Sequence, residues 1–170
     1  MKSTVIIQII FLEDNFYHIA GLHKLTDIKD LIDSRNKKLF FKSFFKKSCK
    51  DKIISRICNS VHFDEIVDRL KSIIAFESNL MNNCMNGKYI KFYENRLVFI
   101  SRINYDYVLI ITDDNGDSYH YFIKTKSNDE SIIVSAFINN TDNYWKNQKL
   151  MILSKIDLNA DNKIICIYKK

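Results

Sequence analysis

The sequence predicts a single α+β domain, in which helices come first and a mostly antiparallel sheet follows. A change of pattern along the 170 residues supports this prediction. In residues 1–86 apolar side chains recur at three- and four-residue spacing, which is typical of helices, whereas residues 87–170 hold short β-branched and aromatic runs. The composition, 46% hydrophobic and 27% charged, fits one globular domain over residues 1–170 that buries a core without disulfides or a structural metal.

The first element is an apolar run at the N-terminus, which we expect to be a first strand or a buried helix. Lys2 before this run imitates a signal peptide, but Gln8 interrupts the run, and Glu13, Asp14 and Asn15 replace the small residues of a cleavage site. No stretch approaches the roughly 20 apolar residues that cross a bilayer. We therefore expect no membrane partner.

The helical part is clearest at His62–Met81, where apolar residues form one stripe at three- and four-residue spacing. Asp64 and Glu65 stand where they favour the positive N-terminus of that helix. Shorter amphipathic stretches are predicted at Leu39–Phe45 and Lys52–Cys58. Aromatic residues of the first stretch are expected to pack beside isoleucines of the second: Phe40, Phe41, Phe44 and Phe45 beside Ile53, Ile54 and Ile57.

After Gly87 the pattern favours strands. Asn115 and Gly116 separate two such runs and are a signal for a hairpin turn. The predicted strands are Tyr89–Tyr93, Leu97–Ser101, Tyr107–Thr112, Tyr119–Thr125, Ser131–Ile138, Leu150–Ile156 and Ile164–Tyr168.

Positive charge is concentrated in one segment. The chain carries a formal charge of +6, and Arg35–Arg56 alone holds nine basic residues against Asp51, a net +8. Such a segment attracts polyanions and favours phosphate contacts; the alternative is an ordinary solvated helical face rich in lysine. If the segment binds nucleic acid, the candidate residues are Lys42, Lys46, Lys47, Lys50 and Lys52.

Several classes of site lack their usual signatures. The four cysteines form no CxxC pair and have no histidine at ligand spacing, so we expect reduced thiols in the cytoplasm of a bacterial cell rather than a zinc site or disulfides. GxSxG, P-loop, GxGxxG and HExxH patterns are absent from the sequence. We therefore predict neither a metal nor a cofactor.

Two of the four histidines, His18 and His23, flank Gly21 in the segment NFYHIAGLHKL. Histidine is the natural group for moving protons near neutral pH. On a continuous helix the two side chains would lie about 140° apart, on different faces. A structural role for either histidine is the alternative.

The predicted strands carry polar side chains that a concave sheet face could use. They are Tyr121, Lys124 and Ser135, with Thr125 and Lys126 nearby. The alternative for each is an ordinary place on the solvent-facing side of a strand.

Three blocks of the sequence together resemble a nuclease family. The first is NFYHIAGLHKL, at Asn15–Leu25; the second runs from Ile53 through Arg56 to Phe63; the third holds Ser135-Ala136-Phe137, followed by Tyr144 and Gln148. In this order they resemble the phage-type barnase–EndoU–colicin–RelE-like (BECR-fold) nuclease domains, specifically their fourth group. The resemblance spans roughly residues 10–156, with Ala136 where the family tends to have an aromatic residue.

The resemblance implies a sheet of four to five antiparallel strands whose concave face holds RNA. It also implies metal-independent cleavage, in which the 2′-hydroxyl attacks the adjacent phosphate and leaves a 2′,3′-cyclic phosphate. At matching positions it implies His18 as acid or base, Arg56 as phosphate clamp and Ser135 as a hydrogen-bonding group. We add His23 and Lys124 on chemical grounds. The implied partners are RNA and an antitoxin or host protein.

Two other classes of function stay open. One is a non-catalytic phage or plasmid protein that binds nucleic acid or a host defence protein through its basic face. The other is a subunit of a larger assembly, with the phenylalanines of Leu39–Phe45 as an interface. An origin in a phage or mobile element agrees with the composition, because Ile, Lys and Asn make up 65 of 170 residues, as AT-rich genomes favour.

Overall fold

In the computed structural model the described residues are 4–30, 42, 47–86, 90–95, 103–127, 130–158 and 164–169. They form three α-helices, two short 3-10 turns at Leu22–Lys24 and Thr26–Ile28, and seven strands. In chain order the helices and strands are β1 (Thr4–Ile10), α1 (Glu13–Ile19), α2 (Lys47–Cys58), α3 (Asp64–Asn86), β2 (Ile90–Glu94), β3 (Tyr107–Thr112), β4 (Ser118–Thr125), β5 (Glu130–Ile138), β6 (Lys149–Leu158) and β7 (Ile164–Lys169).

The strands form one sheet that closes on itself in the order β1-β5-β4-β3-β2-β6-β7. The closing contact is the antiparallel pair of β1 with β7, in which Thr4 lies opposite Lys169 and Ile9 opposite Ile164. On its other edge β1 pairs in parallel with β5, and Gln8 lies opposite Glu130. All other neighbouring strands pair antiparallel.

The α+β class is confirmed, but the expected sheet of four to five antiparallel strands is wrong. The sheet is mixed, its described part has seven strands, and the N-terminal apolar run is the first of them, β1, as one of the two alternatives for that run expected. The physical reason is the apolar run at the N-terminus, which forms a strand bonded on both edges, with Ile7 and Ile9 buried. Parallel neighbours require a long crossover, and the chain between β1 and β5, which holds the helices and β2–β4, supplies one.

Local predictions agree with the structure at most other elements. The His62–Met81 stripe forms α3, and Lys52–Cys58 lies within α2. Asn115 and Gly116 lie in the β3–β4 hairpin, where Gly116 takes a left-handed φ of 88°. The predicted strand Leu97–Ser101 and nearly all of Leu39–Phe45, including its four phenylalanines, lie outside the described residues.

Three groups of buried residues fill the fold. The first lies between α3 and one face of the sheet and includes Phe76 and Tyr121. The second joins α1, the 3-10 turns, α2 and the start of α3, around Leu22 and Ile66. The third covers the other face of the sheet around Phe122. Strands β3 and β4 are buried on both faces.

Candidate functional site

The segment with His18 and His23 is a turn, not a continuous helix. Helix α1 ends at Ile19, Gly21 takes a left-handed φ of 75°, and a 3-10 turn begins at Leu22. This reversal brings the two imidazole rings together, with centroids 5.4 Å apart and planes at 47°. The helical expectation of two separate faces is therefore wrong, because glycine allows the chain to reverse between the two residues. Both histidines are exposed.

Arg69 of α3 packs directly against this turn. A Cβ atom built on Gly21 would lie 2.6 Å from Cδ of Arg69 and 3.4 Å from its Nε. The arginine side chain therefore occupies the space that any other residue at position 21 would need. Because Gly21 has no side chain, the turn that carries the two histidines can pack closely against Arg69 of α3.

The guanidinium of Arg69 is held by strand β5. Its Nη1 donates a hydrogen bond to Oγ of Ser135 at 3.1 Å, and its Cζ lies 5.5 Å from the centre of the Phe137 ring. Burial lowers the pKa of Arg69, while the charge interaction with Tyr144 opposes that change. Among the described residues, no carboxylate forms an ion pair with Arg69. The site therefore holds a partly buried positive charge without an acidic partner, an arrangement suited to an anion.

An irregularity in the sheet presents Ser135 and Phe137 to Arg69. Ile123 of β4 pairs with Ile133, but Phe122 pairs with Ser135, so β5 has one extra residue there. A bulge of this kind shifts the alternation of side chains between the two faces. Ser135 and Phe137, two residues apart beyond the bulge, then share one face.

Arg56 lies elsewhere, near the end of α2. Both of its terminal nitrogens donate to the Asp30 carboxylate at 2.9 Å. This hydrogen bonding to Asp30, opposed by burial and supported by the charge of Asp30, raises the pKa of Arg56. In the described part of the chain its guanidinium contacts neither the histidines nor Ser135, so the structure does not bring Arg56 into this site.

A polar network beside Arg56 fixes the 3-10 turns against the α2–α3 connection. The Asp27 carboxylate accepts from Oγ of Ser60 at 2.6 Å and from N of Val61 at 3.1 Å. The Ser60 hydrogen bond is the main cause that lowers the pKa of Asp27. His62 contacts Thr26 through Nε2 at 3.1 Å and Glu65 through Nδ1 at 2.8 Å. These contacts give Arg56 and His62 structural partners.

The remaining strand candidates have partners of their own. Nζ of Lys124 donates to Asp106 at 2.7 Å, and Asp106 also accepts from N of Thr125. Burial would raise the pKa of Asp106, but the hydrogen bonds from Lys124 and Thr125 lower it overall. The Tyr121 hydroxyl donates to the buried carbonyl of Ser72 at 2.9 Å, and burial strongly raises its pKa. Ser135 is thus the strand candidate that the structure joins to Arg69.

The lysines of the basic segment are described in part. Lys42, Lys50 and Lys52 are exposed. Lys47 begins α2, but its side chain lies outside the described residues, as does all of Lys46. The exposed lysines present positive charge on the surface.

Arg69 belongs to no recognised sequence motif, but its position in the pattern of apolar residues of α3 distinguishes it. Ile66, Ile73 and Phe76 recur at helical spacing on the buried side of α3, and Arg69 stands on the same stripe. An arginine on an apolar stripe is unusual, because charged side chains are rarely buried without a partner. Arg69 is the charged exception on this stripe, whereas Ser72, the other polar residue on the buried side, is neutral.

Comparisons with protein families, with curated proteins and with solved structures find no match for this chain. No helix in the described ranges has both the length and the apolar character needed to cross a membrane. Across those same ranges, no group of three or more His, Cys, Asp or Glu residues is placed to hold a metal ion. The geometry around Arg69 therefore carries the functional assignment.

Proposed function

We propose that the protein is a metal-independent endoribonuclease that cleaves RNA by transesterification. One observation carries this proposal: Arg69, partly buried and without a carboxylate partner among the described residues, packs on Gly21 in the turn that brings the His18 and His23 rings together. This arrangement supports the proposal, because a cation suited to phosphate packs on the turn that carries two groups able to transfer protons near neutral pH.

In the proposed reaction one histidine takes the proton of a ribose 2′-hydroxyl. The freed oxygen attacks the adjacent phosphorus, and the other histidine, in its protonated form, gives a proton to the leaving 5′-oxygen. The products are a 2′,3′-cyclic phosphate and a free 5′-hydroxyl. Because two exposed imidazoles stand in contact, His18 and His23 can share these roles within one site.

Arg69 would bind the scissile phosphate and stabilise the charge that grows on its oxygens. Its guanidinium can hold two phosphate oxygens at once, a geometry that lysine does not offer. The Ser135 hydroxyl accepts from Nη1 and so fixes the direction of the remaining N–H groups. A fixed donor stabilises a transition state better than a mobile one, because it needs no reorganisation during the reaction.

The experiment is incubation of the purified protein with RNA in the presence of EDTA. We expect cleavage products that end in a 2′,3′-cyclic phosphate and no cleavage at a position that carries a 2′-deoxyribose. His18→Ala, His23→Ala and Arg69→Gln should each lower the rate at least a hundredfold. Lys71→Gln is the matched control, because Lys71 is exposed on the same helix and pairs only loosely, at 3.8 Å, with Asp68. An inactive wild-type protein, or rates unchanged in all three variants, would overturn the proposal.

A second candidate function is binding of nucleic acid without cleavage, in a phage or plasmid protein that acts on its host. Exposed Lys42, Lys50 and Lys52 favour it, since they offer phosphate contacts that need no catalytic group. It predicts RNA binding that weakens steeply with salt and leaves the RNA intact. Expression in a bacterial host separates the two functions, because a ribonuclease should arrest growth unless an antitoxin is present.

A further inference from the structure

We propose that Tyr144 and Trp145 form a base-stacking surface for the RNA nucleotide whose phosphate binds Arg69. The proposal rests on the proposed function and names the form of its substrate, a single strand with unpaired bases. It assigns a binding role to two aromatic residues that the proton-transfer chemistry does not use.

The aromatic surface begins at Arg69. The guanidinium lies over the Phe137 ring, with 5.5 Å from Cζ to the ring centre. Phe137 in turn contacts Tyr144, with ring centroids 5.6 Å apart and planes at 69°. All three side chains are partly exposed. The Phe137 ring also stacks on Phe122, with centroids 5.1 Å apart and planes at 28°, so it supports Arg69 and Tyr144 and does not offer a free face. A phosphate on Arg69 would therefore leave its nucleoside next to the Tyr144 ring.

Trp145 extends this surface. Its indole stacks on Tyr93 at 5.4 Å with an interplanar angle of 21°, and it too is partly exposed. In the described part of the chain, the Tyr144 hydroxyl has no hydrogen-bond partner. It can therefore serve a ligand.

The connection between β5 and β6, which carries Tyr144 and Trp145, is held in place by the sheet. The Tyr105 hydroxyl donates to the Tyr144 carbonyl at 3.0 Å. Nε2 of Gln148 donates to Oδ1 of Asn95 at 3.1 Å, and Nδ2 of Asn95 donates to the Tyr105 carbonyl at 2.9 Å. This network orders the aromatic side chains before any ligand arrives, which lowers the entropy cost of binding.

The chemistry of the surface selects single-stranded nucleic acid. Positive charge supplies the contact with the backbone, and aromatic faces supply a contact that every base can make. In a duplex the base faces are stacked on their neighbours, so only an unpaired nucleotide can place its base on these rings. Stacking on an aromatic ring typically strengthens binding by about tenfold or more per base.

The test uses Trp145, which is the only tryptophan of the chain and therefore reports on this surface alone. The protein is titrated with adenosine 3′-monophosphate, ribose 5-phosphate and inorganic phosphate, and binding is followed by tryptophan fluorescence and calorimetry. We expect adenosine 3′-monophosphate to quench the fluorescence and to bind at least tenfold more tightly than the two ligands without a base. Equal affinity for all three would overturn the proposal.

Variants assign the effect to residues. Tyr144→Ala should weaken the binding of adenosine 3′-monophosphate about tenfold without changing the affinity for inorganic phosphate. Tyr144→Phe should still bind adenosine 3′-monophosphate more tightly than the ligands without a base. Trp145→Leu keeps an apolar side chain but loses the ring, and calorimetry should also show weaker binding of adenosine 3′-monophosphate. Unchanged nucleotide affinity in both Tyr144→Ala and Trp145→Leu would contradict the stacking surface. Circular dichroism spectra confirm that each variant is folded, and Lys71→Gln is the control for charge.

The same measurements separate this proposal from the ribonuclease assignment. His18→Ala with His23→Ala should abolish cleavage and keep the preference for adenosine 3′-monophosphate over inorganic phosphate. If the wild type binds adenosine 3′-monophosphate preferentially but cleaves no RNA, the ribonuclease proposal fails and the stacking surface stands. If it cleaves RNA with no preference for ligands that carry a base, the stacking surface fails and the ribonuclease proposal stands.

Discussion

Gly21 and Arg69 fit together so closely that a single added carbon would separate them: a Cβ at Gly21 would lie 2.6 Å from Cδ of Arg69. Gly21 also takes a φ of 75°, a backbone conformation that residues other than glycine rarely adopt. The position therefore carries two independent requirements, one from the backbone and one from the arginine of the candidate site.

Gly21→Ala should consequently impair both stability and RNA cleavage. We expect a loss of about 1–3 kcal/mol in the free energy of unfolding from the strained backbone, and a drop of at least tenfold in cleavage rate because Arg69 is displaced. Urea denaturation and a cleavage assay measure the two effects. Gly116→Ala is the matched control, since Gly116 has a φ of 88° and no atom within 4 Å of an added Cβ. Equal loss of activity in both variants would show that the contact with Arg69 is irrelevant.

The two arginines should differ sharply in their effect on catalysis. Arg69→Gln should lower the single-turnover cleavage rate by about a hundredfold to a thousandfold, as loss of a transition-state donor does. Arg56→Gln should change it by less than about fivefold, because the Arg56 guanidinium is already bound to Asp30 at 2.9 Å. The reverse order would return the phosphate-clamp role to Arg56 and remove it from Arg69.

His120 should make the stability of the protein fall at mildly acidic pH. Its side chain is fully buried, Nδ1 contacts the Ser118 carbonyl at 3.2 Å, and within the described part of the chain Nε2 has no hydrogen-bond partner. Burial lowers the pKa of His120 below its ordinary 6.5, although the Ser118 contact opposes this. The unfolded chain therefore binds more protons than the folded one as pH drops below about 6.5, so the free energy of unfolding decreases there.

His120→Phe should remove this part of the pH dependence. The variant loses the contact with Ser118. It also removes the unsatisfied buried nitrogen, whose burial destabilises the wild-type protein by about 1–3 kcal/mol. We expect chemical denaturation at pH 5 and pH 8 to show a smaller difference for the variant than for the wild type. An identical pH dependence in both proteins would mean that the buried imidazole does not respond to pH in this range.

The Tyr121 hydroxyl should be worth more to stability than an ordinary tyrosine hydroxyl. It donates to the carbonyl of Ser72 at 2.9 Å, joining β4 to α3 inside the core, and Tyr121 is 1% exposed. Tyr121→Phe removes this buried hydrogen bond, although the Ser72 carbonyl keeps its place in the helical hydrogen bonding of α3, so we expect a loss of about 1 kcal/mol in the free energy of unfolding. Tyr93→Phe is the control, because the Tyr93 hydroxyl makes no hydrogen bond within the described residues. Similar thermal denaturation of the two variants would contradict the prediction.

Local features of the fold could be predicted from the sequence, and long-range ones could not. The period of the apolar residues predicts α3, and the Asn115-Gly116 pair predicts the β3–β4 hairpin, since both signals are local. The parallel pairing of β1 with β5 could not be predicted, because alternation shows that a strand exists but not which strand lies beside it.

In the candidate site, too, local features could be predicted from the sequence and long-range contacts could not. His18 and Gly21 stand out as residue types in one short segment, so sequence reasoning could select them. Their geometry depends on how the chain reverses at Gly21, which a helical wheel misrepresents. Arg56 matched a motif, but its partner Asp30 lies 26 residues away. Arg69 lacked a motif and was marked only by its place on an apolar stripe.

The pairing of β1 with β7 affects the order in which parts of the protein fold during synthesis. Thr4 to Ile9 find their antiparallel partners at Ile164 to Lys169, so the sheet cannot close until residue 169 has left the ribosome. Contacts between such distant parts of a chain form late and slowly. A nascent chain would thus carry the histidine turn and Arg69 long before the sheet that supports Ser135 is complete. Under the proposed ribonuclease function, this delay would keep unfinished chains from cleaving the messenger that encodes them.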